Sequence, residues 1–255
     1  MLTAITHTPS PYLGNCELTY LPRQSINIEV IKTQHEDYCM MLRECGVTVL
    51  TFNYNASLPD SVFVEDTALV LDEIGIILPM GTESRREEIN FMASQLKRFR
   101  DLERIRQPAQ LEGGDILRVG KNLYVGLTSR SNQQGIQALE DIVAPFGYRL
   151  KTVEVSNCLH LKTGCTALDD ENLLINPQWI DAASFKNLNL HVVPSEEAFA
   201  ANILRVGDII CLSAGFPKTR KMIADLGYKV KVIDISEFNK AEAGLTCISL
   251  LIGSA

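Results

Sequence analysis

Residues 143–155 read VAPFGYRLKTVEV, the tail of an amphipathic helix stopped at Gly147 and followed at once by an apolar strand. Glycine suits the left-handed turn that ends a helix, so the junction reads as helix, turn, strand. The same junction recurs upstream in LRECGVTVLTF (42–52) around Gly46 and downstream in ADLGYKVKVIDI (224–235) around Gly227. The three glycines stand 101 and 80 residues apart, each interval about twice a unit of 40–50 residues. Between these junctions lie β-rich runs broken by Asp, Asn and Gly, which read as pairs of short strands: DTALVLDEIGIILP (66–79), DILRVGKNLYVG (115–126), TALDDENLLIN (166–176) and ILRVGDIICLS (203–213). Helical patterns follow the first, second and fourth pairs: Ile89, Met92, Leu96 and Phe99 within 84–99, then Ile136, Leu139, Ile142 and Val143. The repeating unit is strand, strand, helix, strand, and about five copies fill 255 residues with no linker between them. Such units close radially, which predicts an α/β fold of five blades, a five-bladed α/β propeller, in one domain over 1–255. A doubly wound α/β sheet shares the strand-helix alternation and is the competing architecture.

Composition narrows the function. Twenty-four Lys plus Arg against thirty-one Asp plus Glu leave a net charge of −7, with no Lys/Arg block. Nucleic acids and anionic membranes are bound through a basic face, so neither is an expected partner. No apolar run approaches the ~20 residues of a membrane span, and 1–10 lack the basic start and apolar stretch of a signal peptide. Seven cysteines in no regular ladder favour reduced thiols and a cytoplasmic location. The cysteines form no Cys-x2–4-Cys pair and the histidines no His-x3–5-His pair, so no metal site is expected.

A polar or reactive residue stands at or just before the start of each strand pair: Glu65 and Asp66, Glu112, His160, Asn202, and finally Cys247 before ISLLI. Each alone has an ordinary structural explanation. Cys247 lies in an apolar run, where a cysteine acts as a small buried apolar residue. His160 is flanked by leucines, and the acidic stretches read as turns or solvated loops. Their common phase changes the reading, because equivalent positions of a radial fold meet at its axis. Cys158 and Cys165 compete as nucleophiles but occupy another phase.

At these residues the chain resembles the dimethylarginine dimethylaminohydrolases of the guanidino-group-modifying (pentein) superfamily. The matching stretches are LPDSVFVEDTALV (58–70), GTESRREE (81–88), LEGGDIL (111–117), GLTSRSNQQG (126–135), LHLKTG (159–164) and GLTCISLLI (244–252). The resemblance implies a five-unit α/β propeller with Cys247 as nucleophile, His160 as general acid/base and Glu112 completing the catalytic set. Glu65 and Asp66 would surround the guanidinium. Asp60, Arg85 and Arg130 would hold the amino-acid end of the substrate, with Leu18 and Ala241 closing over it through backbone groups. Residues 14–34 correspond to a lid, in which Glu17 replaces a common glycine. The implied reaction hydrolyses Nω-methylated arginine to citrulline and dimethylamine or methylamine, through a covalent S-alkylthiouronium and without a cofactor. Its expected partners are that small molecule and, at most, a second copy of the chain in a homodimer; a thiolate beside His160 is also a soft site for inhibitory metals. The rival readings are a hydrolase of the same superfamily acting on arginine or another guanidine such as agmatine, and a non-catalytic propeller that binds arginine-like ligands.

Overall fold

The structure is a computed structural model and describes residues 2–253. In it, β1 (Thr3–His7) and β2 (Thr48–Phe52) pair in parallel across the crossover helix α1 (Ile28–Glu44). The second sheet is β3 (Ala68–Val70), β4 (Gly75–Ile77) and β5 (Leu102–Arg104), with α2 (Glu88–Leu96) between the last two strands. The third is β6 (Ile116–Val119), β7 (Asn122–Leu127) and β8 (Arg149–Glu154), crossed by α3 (Gln133–Val143). The fourth begins after a single turn, α4 (Leu161–Gly164), and contains β9 (Cys165–Ala167), β10 (Asn172–Ile175) and β11 (Asn189–Val192). Its crossover carries a 3-10 turn at Ala182–Phe185 where the others have α-helices, matching the missing helical pattern there. The fifth is β12 (Leu204–Val206), β13 (Ile209–Ser213) and β14 (Lys229–Ile233), crossed by α5 (Pro217–Asp225).

In each of these four complete units the first strand pairs antiparallel with the second, and the second parallel with the third. The remaining unit follows the same rule once β15 (Leu250–Ile252) is taken as its first strand: it pairs antiparallel with β1. Both ends of the chain therefore share one sheet. Parallel pairs need long crossovers, which is why a helix intervenes only at that step.

Period-two alternation explains the packing. Along β7, Leu123 and Val125 join one apolar cluster while Tyr124 joins the next; along β13, Ile210 and Leu212 part from Cys211 in the same way. Successive strand residues point to opposite faces, so these strands are buried on both sides and read as near-continuous apolar runs. Five clusters result, each shared by two sheets. The cluster of Ile5, Ala68, Ile77 and Leu250 joins the sheet of β1 to the next, and that of Ala4, Leu204, Cys211 and Ile233 joins it to the last. The contacts thus run in a cycle although no sheet is continuous around it, and five separate three-stranded sheets supersede the doubly wound alternative.

Gly46, Gly147 and Gly227 have φ of 82°, 78° and 92°, as the helix-strand junctions require. The helical pattern over 84–99 is shorter in the structure. Glu83–Arg85 forms a 3-10 turn, no side chain caps α2, and Lys97–Phe99 leave the helix as turns. Among the described residues no helix is long and apolar enough to cross a membrane.

Candidate active site

The phase-equivalent residues all sit on short turns that lead into the first strand of a sheet. Glu65 and Asp66 lie on the 3-10 turn Val64–Thr67 before β3, Glu112 precedes the turn Gly113–Asp115 before β6, and His160 precedes α4 before β9. Cys247 lies on the turn Thr246–Ile248 before β15. The glycines of the EGGD stretch make their approach feasible. A Cβ on Gly113 would stand 2.0 Å from the Glu65 carbonyl oxygen, and one on Gly114 would stand 2.6 Å from His160 Nδ1.

Of the residues nominated from sequence, Asp60, Asp66, Arg85, Arg130, His160, Ala241 and Cys247 line one cavity. Phe63, Leu159, Glu17, Glu242 and Ala243 complete its wall. Glu112, Glu65 and Leu18 are not in that wall. Glu112 is fully buried behind His160, with Oε2 2.8 Å from His160 Nε2 and Oε1 accepting the Gly81 amide at 2.9 Å. Glu65 pairs with Lys162 and leaves its other carboxylate oxygen without a partner. Leu18 is half-buried against the cluster that joins the first and last sheets. Cys158 and Cys165 lie in the apolar cluster between the third and fourth sheets, away from this wall.

The two arginines are held differently. Buried Arg85 donates Nε and Nη2 to Glu88 at 3.1 and 2.9 Å, Nη2 to the Phe63 carbonyl at 3.0 Å, and Nη1 to Asp66 at 2.8 Å. Arg130 donates to the hydroxyls of Thr19 and Thr82, at 3.2 and 3.4 Å, and forms a longer ion pair with Glu112 at 3.7 Å. Four of the five N–H groups of Arg85 are thus committed, whereas the hydrogen bonds of Arg130 go to neutral hydroxyls that a carboxylate displaces readily.

Three contributors escape a sequence reading. Asp115, fully buried, accepts the hydroxyls of Thr128 and Ser131 at 2.7 and 2.6 Å and the Leu161 amide at 2.9 Å. It thereby fixes both the loop that carries Arg130 and the turn that follows His160. Its signal was present in EGGD, where it had been read as part of a turn. Glu88 anchors Arg85, and Glu242 accepts the backbone amides of Thr19, Tyr20 and Leu21. Glu242 has φ of 57°, so its carboxylate is presented from a left-handed backbone. The nominated lid divides accordingly. Its last residues, from Ile28, are already α1, capped by the Asn27 side chain, while 16–27 have no helix or strand. Asp60 accepts the Glu17 amide at 3.2 Å, and Ser84 donates its hydroxyl to Glu17 Oε1.

The ionisation states follow from this geometry. Burial pushes the Cys247 thiol up to about 12, and the Glu65 and Asp66 carboxylates push in the same direction, opposed by the Gly244 amide and Lys162. Burial alone would lower His160, yet Asp66, Asp115 and Glu112 outweigh it and hold the imidazole up at about 9. At neutral pH the site therefore rests as a thiol and an imidazolium. Ligand atoms of Asp66, Glu112 and His160 lie within 4.8 Å of one another, close enough for one cation. The proton on His160 opposes a cation at neutral pH, and one oxygen of each carboxylate already serves Arg85 or His160, so in this structure the trio is a charge network.

A family model described as "N,N dimethylarginine dimethylhydrolase, eukaryotic" matches residues 20–182. The N(G),N(G)-dimethylarginine dimethylaminohydrolase of Pseudomonas aeruginosa is 37% identical over 85% of this chain and 86% of its own. The enzyme of the same name from Streptomyces coelicolor is 34% identical over 97% and 95%. A solved structure of the P. aeruginosa enzyme, a Cys-to-Ser mutant complexed with citrulline, superposes with a TM-score of 0.92 at 35% identity over 98% of both chains.

Proposed function

The chain belongs to the dimethylarginine dimethylaminohydrolase family, and we infer from that membership and from its site that it is a hydrolase converting Nω-methylated arginine to citrulline and dimethylamine or methylamine. The observation that carries the reading is the convergence on one cavity of a thiol, an imidazolium, several carboxylates and two arginines. Together they answer every part of such a substrate. The citrulline bound by the P. aeruginosa relative is the product this reading assigns here.

A guanidinium is planar, cationic and resonance-stabilised, so water attacks its carbon slowly. In the proposed reaction Asp66 receives the guanidinium, while Arg130, helped by the remaining N–H of Arg85, takes the substrate carboxylate. Asp60, Leu18 and Ala241 close around the amino-acid end. The incoming positive charge lowers the pKa of Cys247, whose proton passes to solvent. The thiolate attacks the guanidinium carbon, and His160 gives its proton to the departing amine, which leaves neutral. The resulting S-alkylthiouronium is attacked by water as the now neutral His160 takes up a proton. The C–S bond then breaks as the hydroxyl proton passes to the departing sulfur, so the ureido carbonyl forms and the resting thiol is restored. Glu112 holds the imidazole in place and stabilises its charged form, and no cofactor enters any step. Glu65 acts at one remove, through Lys162. The proposed setting is the cytoplasm, with the whole chain as one catalytic domain, alone or as a homodimer.

Incubation with arginine, monomethylarginine, asymmetric dimethylarginine and agmatine, with ureido products and released amines measured by mass spectrometry, tests the reading. Citrulline forms fastest from the methylated arginines. Preference for arginine or agmatine would move the chain to the rival hydrolases, and binding without any turnover would make it a non-catalytic receptor.

A further inference from the structure

One residue in the common phase of the repeat, Asn202, stays outside the reaction described above, and it sits between two that are in it. It ends the 3-10 segment Ser195–Ala201 and leads into β12, as His160 and Cys247 lead toward β9 and β15. Its side chain is buried and takes three hydrogen bonds. Nδ2 donates to the Lys162 carbonyl at 2.8 Å and to Thr246 Oγ1 at 3.0 Å, and Oδ1 accepts the Thr246 amide at 3.2 Å. Lys162 is two residues beyond His160, and Thr246 immediately precedes Cys247. One amide group therefore ties the turn that follows the imidazole to the turn that carries the thiol.

Asn202 is itself clamped. Thr166 Oγ1 donates to the Ala201 carbonyl at 2.6 Å and accepts the Ile203 amide at 3.2 Å, so the backbone on either side of Asn202 is fixed to the fourth sheet. Gly244 closes the other side: a Cβ there would stand 2.3 Å from Asn202 Cγ and Oδ1. The Gly244 amide donates in turn to Cys247 Sγ at 3.4 Å.

We propose that Asn202 is a positioning residue for the hydrolysis, setting the separation of the His160 and Cys247 turns through one planar amide. The proposal rests on the catalytic reading of those two residues. Only a carboxamide of this length supplies two donors and an acceptor here. Aspartate loses both donors, places a carboxylate against the Lys162 carbonyl and adds negative charge beside the thiol. Leucine keeps the volume and loses all three bonds.

The test compares wild type, Asn202→Leu and Asn202→Asp, with rates normalised to Cys247 titrated by a thiol reagent and assays run well below each melting temperature. A misplacement of about 1 Å costs on the order of 100-fold in rate, so kcat falls by roughly 10- to 100-fold while KM stays within about threefold. Adduct formation and its hydrolysis, followed separately by acid quench and mass spectrometry, both slow, since both need thiol and imidazole in register. A purely structural role would lower the melting temperature and the titratable fraction but leave kcat per titrated thiol within threefold of wild type, and that result overturns the proposal. If Asn202→Leu does not fold, Asn202→Ser, smaller and still polar, is read by the same criteria. Wild type that hydrolyses no methylated arginine defeats the catalytic reading and this proposal together, whereas active wild type with equally active variants defeats this proposal alone.

Discussion

The hub of the molecule and the strap across it are held by opposite means. Around His160 the bonds run mainly between buried side chains: Glu112, Asp66, Arg85, Glu88 and Asp115 are each less than 4% exposed. Residues 16–27, which reach the cavity at Glu17, are held chiefly by side chains that bond strap backbone. Glu242 takes three of its amides, Asp60 a fourth, and Arg23 donates to the carbonyls of Gly14 and Cys16. Buried networks polarise one another and resist rearrangement, whereas bonds at the solvent boundary break and re-form at little cost. In the proposed reaction the difference would separate two demands, a fixed geometry for the chemistry and a segment free to move as substrate enters.

The largest test strikes the hub at its centre. Cys247→Ser loses at least ~10³-fold in kcat and shows no covalent adduct after acid quench, because a hydroxyl lacks the thiolate's nucleophilicity. Retained turnover would remove the chemistry from the hub. His160→Gly leaves adduct formation observable but slows its hydrolysis by about 10²- to 10³-fold, so the adduct accumulates in the mass spectrum. Rapid full turnover by that variant would leave His160 without its role.

The hub also predicts a pH dependence. The folded pKa of His160 is raised from 6.5 to about 9, so its charge contributes stability fully below pH 6.5 and loses it as pH rises to about 9. For a fully buried group this is on the order of 3 kcal/mol. Cys247 acts in the next window, because the unfolded thiol ionises near 9 and the folded one at about 12. The stability of wild type in urea should therefore fall between pH 6.5 and 9, and that of His160→Gly should be flat there. Equal slopes would show that the imidazole is not charged in the folded hub.

The strap predicts smaller effects. Glu242→Gln loses charge-assisted acceptance of the Thr19, Tyr20 and Leu21 amides, worth about 1 kcal/mol at this partly exposed site. KM rises roughly three- to tenfold with kcat little changed, and hydrogen exchange quickens at these three amides. A fall in kcat at constant KM would make Glu242 part of the hub. Ser84→Ala removes only the hydroxyl on Glu17 and changes KM by less than about twofold.

The strand pairs, the helix-ending glycines and the phase of the polar residues could all be read along the chain, because they rest on local periodicity and turn chemistry. The direction in which a carboxylate faces could not. Glu65 and Asp66 are neighbours in sequence, yet one turns to Lys162 and the other to Arg85 and the Gly114 amide. Asp115 looked like a turn residue because its partners lie 13, 16 and 46 residues away. The lid boundary was blurred for the converse reason: 28–34 are helical, and Ile31 is buried in a cluster drawn from both the first and the last sheet.

The sequence by itself determined the unit, its number of copies and the residues that fall at one phase within it, since period-two and period-3.6 patterns are properties of adjacent residues. Only the tertiary structure decided that β15 pairs with β1 to complete the fifth unit, that Arg85 is committed where Arg130 is not, and that His160 is charged while Cys247 is not. Each of these is a balance of burial against partners brought from distant segments, and no window of sequence contains both sides of it.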